Sequence, residues 1–262
     1  MNLICHTELG QRDTQQDCVL AMSRHVQGIP VHVVGVADGV GSLARGEEAS
    51  RLVCEALATH LNVLTLEATL GDFTRAFRNA LNETSQALDA LQSPASTTAT
   101  AALILPHAAF VASSGDSPCV YYSRKLKRCG LATKEHSTAQ DLYARGEIEA
   151  SDIATHPFRG MLTSYVSKNP VHATRVDTCE VPLDSGDRLL VCSDGLLNIL
   201  TAREVSRTLA LPNLSDAALL LEVLAAERAD DNASFVLAGN DHAMPVCLDQ
   251  LAFAKGESYG CV

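Results

Sequence analysis

The chain has 262 residues, enough for one large domain or two small ones. Hydrophobic residues make up 47% and charged ones 19%, an ordinary globular composition that excludes a disordered chain. Lys and Arg number 20 and Asp and Glu 31, a formal charge of −11 that argues against nucleic acid or an anionic membrane as partner, since both need a basic surface.

The chain opens with short β-prone runs at 2–9, 16–22 and 30–37. Residues 47–61 switch to helix: Ala49, Leu52, Val53, Ala56, Leu57 and Leu61 fall on one stripe at i, i+3, i+4 spacing. A second helix is expected over 67–91, burying Phe73, Phe77, Leu81, Leu88 and Leu91. Four strand-like runs follow at 98–105, 108–114, 118–123 and 126–132, and their short spacers predict antiparallel pairing. Residues 136–170 are rich in turn formers and read as a short helix and an irregular insertion. Strands are expected again at 171–181 and 186–193. Thr201 and Glu204 make a capping-box pattern, Leu219 to Ala226 belong to an apolar helix, and 233–238 form a last strand. Residues 240–262 show no clear period. With no repeat and no linker, one α+β domain with antiparallel sheets and helices packed outside is the expectation.

The nine cysteines are odd in number, lack a Cys-x-x-Cys pair and mostly sit in apolar runs, so they read as reduced thiols of a cytoplasmic protein. No Cys/His spacing suits zinc. The first residues lack a basic start and an apolar stretch, so no signal peptide is expected. The most apolar segment, 100–112, carries Pro106 and His107 and is too short to span a bilayer.

Three places share one local design: an apolar run, a small residue, then Asp followed by Gly or Asn. They end in Asp38-Gly39, Asp194-Gly195 and Asp231-Asn232. Placed at one rim of a sheet, these carboxylates would repel, and a divalent cation would relieve them. Oxygen ligands without His or Cys select Mg²⁺ or Mn²⁺, and two such ions can share a water, acidify it and aim it at phosphorus. Asp-Gly is also an ordinary turn dipeptide, so spacing alone yields a candidate carboxylate metal site. Arg12 lies between two strand runs. It is either a phosphate ligand, because guanidinium binds phosphate bidentately, or a solvated surface side chain.

In chain order the residues run Gly10, Arg12, Gln16-Asp17, Asp38-Gly39-Val40-Gly41-Ser42, Ser96-Thr97-Thr98, Gly115-Asp116-Ser117, Glu135-His136-Ser137, His156-Pro157, Ser193-Asp194-Gly195 and Asp231-Asn232. The series resembles the metal-dependent Ser/Thr protein phosphatases of type 2C, the PPM family, in their compact bacterial form, over about residues 2–239. The resemblance implies a four-layer α-β-β-α sandwich, with a phosphatase domain at 1–239, a flap at about 145–168 and a C-terminal extension at 240–262. It implies two Mn²⁺ or Mg²⁺ ions, with Asp38 bridging both, the Gly39 carbonyl on the second, and Asp194 and Asp231 completing the first. Asp17 would hold metal-bound water, Glu135 would mark a weaker third-metal position, and Arg12 would bind the substrate phosphate. Asp116 would be structural. The activity implied is hydrolysis of phosphoserine and phosphothreonine by a bridging water or hydroxide. The implied partners are phosphorylated proteins of a Ser/Thr kinase system, and the chain is expected to be a monomer. Gln15-Gln16, Val40, Ser42, Pro118 and Glu135 depart from the family pattern. They leave open a phosphoprotein-binding pseudophosphatase on the same fold.

Overall fold

A computed structural model describes residues 1–41, 45–91, 93–168 and 174–239. The strands are β1 (Asn2–Glu8), β2 (Asp17–Val26), β3 (Ile29–Asp38), β4 (Ser96–Thr97), β5 (Ala99–Ile104), β6 (Ala108–Ser114), β7 (Cys119–Ser123), β8 (Arg128–Leu131), β9 (Val166–Ser167), β10 (Asp177–Pro182), β11 (Arg188–Cys192) and β12 (Ala233–Gly239). The helices are α1 (Gly46–Leu61), α2 (Leu70–Asp89), α3 (Thr138–Ala144), α4 (Asp194–Asn198), α5 (Ala202–Leu209) and α6 (Leu214–Arg228), with a 3-10 turn at Ala150–Thr155.

Ten of the strands form two antiparallel sheets, ordered β1-β12-β11-β7-β8 and β10-β6-β5-β3-β2. In β3, Val31, Val33 and Ala37 pack beneath α1 and α2, while Val34 and Val36 face the other sheet. In β12, Phe235 and Leu237 pack beneath α5 and α6, while Val236 and Ala238 face inward. Both faces of each central strand are therefore covered, so the strands read as unbroken apolar runs and not as alternating ones. The result is three apolar layers between four layers of structure: helix on sheet, sheet on sheet, sheet on helix. The expected α-β-β-α sandwich is what the chain forms.

The differences lie at element ends. β2 runs to Val26 and turns back at Gln27-Gly28, whose φ values of 52° and 79° suit a two-residue hairpin. β10 starts at Asp177: residues 174–176 are irregular, and 171–173, the start of the expected strand, lie outside the described residues, as do Ser42 and 240–262. The apolar helix starts at Leu214 and leaves Leu219, Leu220 and Val223 exposed. The capping box forms as expected, with the Glu204 N–H donating to Thr201 Oγ1 at 3.2 Å and the Thr201 N–H to Glu204 Oε2 at 2.8 Å. Among the described residues no helix is long and apolar enough to cross a membrane.

Candidate active site

All the acidic motifs come to one rim, where the two sheets meet. Antiparallel pairing of β2 with β3 sets Asp17 directly opposite Asp38. Asp194 is the first residue of α4, immediately beyond β11, and Asp231 stands two residues before β12. Strand ends at this rim are held close. A Cβ on Gly195 would stand 2.1 Å from the Asn232 carbonyl oxygen, and one on Gly39 2.5 Å from Gly46 and 2.8 Å from the Gln16 carbonyl oxygen. Only glycine lets these turns approach so closely.

Burial first, and then the charges of Asp17, Asp194 and Asp116, push the Asp38 carboxyl well above the usual carboxylate range. Asp194 is raised too, by burial first, while Asn198 Nδ2 donates to its Oδ2 at 3.1 Å. Burial raises Asp17 to about 6. Ser193 Oγ donates to Asp17 Oδ2 at 2.7 Å, and the other oxygen, Oδ1, is buried with no partner. Burial with the charges of Asp194 and Glu135 raises Asp116 to about 8. Glu135 is raised by burial and by Asp194, opposed by a Ser137 hydrogen bond and by Arg159 of the flap.

The sequence motifs thus converge, and Asp116, expected to be structural, stands in electrostatic contact with the group. Arg12 is exposed, and its Nη2 donates to Asp231 Oδ2 at 2.7 Å. Among the described residues no group of three or more His, Cys, Asp or Glu side chains is placed so that it could hold a metal ion. The Asp231 carboxylate is spoken for on both oxygens, by Arg12 and by the Asn232 N–H at 2.8 Å. The donor chemistry nonetheless fits a hard cation. It is all oxygen and crowded, and it includes one buried orphan oxygen, Asp17 Oδ1.

Other polar side chains of the motif series support the site, in roles that the sequence alone does not assign. Asn232 accepts the Gln16 N–H at 2.8 Å and donates to the Leu9 carbonyl at 2.9 Å, pinning the Arg12 loop to the Asp231 turn. Thr98 Oγ1 accepts the Asp38 N–H at 2.9 Å, and Thr97 Oγ1 donates to the Asp38 carbonyl at 2.9 Å. The fully buried His136 faces away from the acids: Nδ1 accepts the Gly115 N–H at 3.1 Å, and Nε2 lies 3.2 Å from Asp177 Oδ2. It therefore anchors the turn that carries Asp116. Cys192 is fully buried, and burial drives its thiol far up, so it offers no thiolate nucleophile. All seven described cysteines are free.

The segment between β8 and β10 carries α3, the 3-10 turn and β9. β9 pairs with β4, and the Thr163 N–H donates to the His136 carbonyl at 2.8 Å. Arg159 reaches back from this segment to Asn198 Oδ1 at 3.3 Å, beside Asp194.

Comparison with known proteins places this arrangement. The chain is 27% identical over 183 residues to the serine/threonine phosphatase stp of Listeria monocytogenes, covering 68% of this chain and 71% of that one. It superposes on the PPM Ser-Thr phosphatase MsPP of Mycobacterium smegmatis, solved in complex with cacodylate, with a TM-score of 0.75 at 26% identity over 92% of this chain and 98% of that chain. The catalytic domain of the serine/threonine phosphatase PstP, whose structure holds two manganese ions, has the same fold: TM-score 0.73 at 24% identity, over 90% of this chain and 96% of that chain. The sequence model of protein phosphatase 2C matches residues 10–218. The chain belongs to the protein phosphatase 2C family.

Proposed function

We propose that the rim is a metal-dependent active site for hydrolysis of phosphoserine and phosphothreonine on proteins. The observation that carries this reading is the gathering of acids at one rim: Asp17 pairs directly opposite Asp38 across β2 and β3, and burial with mutual repulsion raises Asp17, Asp38, Asp116 and Asp194 alike. Asp38, the Gly39 carbonyl, Asp194 and Asp231 would hold Mn²⁺ or Mg²⁺, Asp17 would orient water on the metal, and Glu135 with Asp116 would border a third position. Bound there, such cations supply a water ionised near neutral pH and offset the charge of a phosphoryl group. The two manganese ions in the PstP structure support the choice of divalent cation.

The protein's own groups set the geometry. Arg12, on the loop between β1 and β2, is placed to hold phosphoryl oxygens bidentately. Ser193 orients Asp17. The walls of Gly39 and Gly195 bring the strand ends together. We assign residues 1–239 to the catalytic domain, 145–168 to its flap and 240–262 to an extension. We read it as a monomeric cytoplasmic enzyme acting on substrates of a Ser/Thr kinase.

The test is turnover of an aryl phosphate and of a phosphothreonine peptide with Mn²⁺ and then with a chelator. Activity that survives chelation would reject the metal-dependent reading.

A further inference from the structure

Arg12 and Asp231 have been assigned to different ligands, the phosphate and the cation, yet they are bonded to each other. Arg12 Nη2 donates to Asp231 Oδ2 at 2.7 Å, and Asp231 Oδ1 accepts the Asn232 N–H at 2.8 Å. The backbones on both sides are fixed, because Asn232 bonds Gln16 N–H and the Leu9 carbonyl across the same gap. The guanidinium is the soft part: the side chains of the pair are 48% and 43% exposed. Its other nitrogen, Nη1, would stand 3.3 Å from a Cβ on Gly41, so the group bridges from Asp231 to the loop that follows Asp38-Gly39.

A carboxylate oxygen held in a short ion pair with a guanidinium is a poorer donor to a cation. A guanidinium held by a carboxylate is, in turn, a poorer ligand for phosphate. We propose that Arg12 is an exchangeable counter-ion that makes cation and anion binding sequential. Without a cation it neutralises Asp231. When a cation takes Asp231, the guanidinium is released to the anion. The inference rests on the metal-centre reading above and adds an order to it.

The consequence runs against the ordinary expectation for a phosphate-binding Arg. Removing Arg12 weakens anion binding but tightens cation binding, because the competitor for Asp231 is gone. The pair is exposed, so the effect is modest, about threefold in affinity. Linkage requires the reciprocal: phosphate, by drawing Arg12 away, tightens the cation by a factor that Arg12→Ala reduces.

The experiment is calorimetric titration of metal-free, full-length protein with Mn²⁺, with and without inorganic phosphate. The proteins are wild type, Arg12→Ala, Asp231→Asn and the double variant. The expected result is about threefold tighter Mn²⁺ binding in Arg12→Ala without phosphate, and no effect of the same change in the Asp231→Asn background. A general field effect of the lost positive charge would persist in that background, and finding it would overturn the proposal. Unchanged or weaker Mn²⁺ binding in Arg12→Ala would also overturn it and leave the metal centre standing. If wild-type protein bound no Mn²⁺, the metal centre itself would fall.

Discussion

At the start of α5 Glu204 accepts the Thr201 backbone N–H, the Arg228 guanidinium and the Thr201 hydroxyl, and its carboxyl is pulled down to about 2. At the start of α2 Asp72 is likewise held at about 2 by Thr69 and Arg75. At the rim the direction reverses: Asp17 rises to about 6 and Asp116 to about 8, through burial and mutual repulsion. The side chains are of one kind. What differs is burial first and the partner second: solvent-accessible carboxyls with N–H groups and guanidinium at the helix starts, buried carboxyls beside other carboxyls at the rim. Acids with an internal partner stabilise the fold as they stand. Acids gathered without enough cations cost stability and leave the centre able to take charge from outside.

The largest effect should come from the centre of the rim. Asp38→Ala removes the carboxyl that stands opposite Asp17 at the centre of the rim, and turnover of a phosphothreonine peptide with Mn²⁺ should fall by more than about 100-fold, beyond the range of supporting-residue changes. Near-normal turnover would mean that the rim acids are not the active site. Ser193→Ala leaves both Asp17 oxygens unsupported and should cost roughly 10-fold in Mn²⁺ affinity, read by titration.

The pH response separates the two classes. A carboxyl whose folded pKa lies above its unfolded value binds more protons in the folded state, so its contribution falls as pH rises through that window. For Asp17 and Asp116 the window lies between the model-compound value near 3.8 and the raised values of about 6 and about 8. Metal-free protein should therefore melt at lower temperature at pH 8 than at pH 5, and Mn²⁺ at pH 8 should reverse the loss. Asp116→Asn should stabilise the metal-free protein at pH 8 by roughly 1–2 kcal/mol, after discounting for its partial exposure. The capping acids have depressed values, so their contribution is complete above about pH 4 and is lost as pH falls toward 2. A metal-free melting curve that rises from pH 5 to 8 would break the contrast.

The smallest effect belongs to the caps. Thr201→Ala removes one half of a capping box and should cost about 1 kcal/mol in thermal or denaturant unfolding, with phosphatase activity per folded molecule unchanged. A large loss of activity would couple the two regions where the structure shows them apart.

Much of this was readable from the chain. Strands buried on both faces appear as apolar runs such as 30–37, and α1 and α2 as stripes, because tertiary packing there agrees with local period. Asp38 and Asp194 stood out because each follows an apolar strand run and a small residue; Asp231, which follows Arg228-Ala229-Asp230 at the end of α6, stood out through its Asp-Asn pair ahead of the last strand. Ser193, Thr98 and Asn232 carried no such mark. Their importance comes from partners far along the chain, 176 residues between Ser193 and Asp17 and 223 between Asn232 and Leu9, and no local pattern encodes that. The two-residue pairing of β4 with β9 is too short to leave a period. Asp116 lies in a turn motif, and only the folded chain shows that Asp194 and Glu135 add their charges to its burial.

Asn232 and Asp231 sit just ahead of β12, the strand that lies between β1 and β11 in its sheet. A nascent chain that has reached residue 200 already contains Arg12, Asp17, Asp38 and Asp194, but one of its sheets still lacks a central strand. Pairing across such sequence distances forms late. The unfinished polypeptide therefore carries most of the rim acids without the centre they build, and the rim closes only once β12 has been made and has paired with β1 and β11.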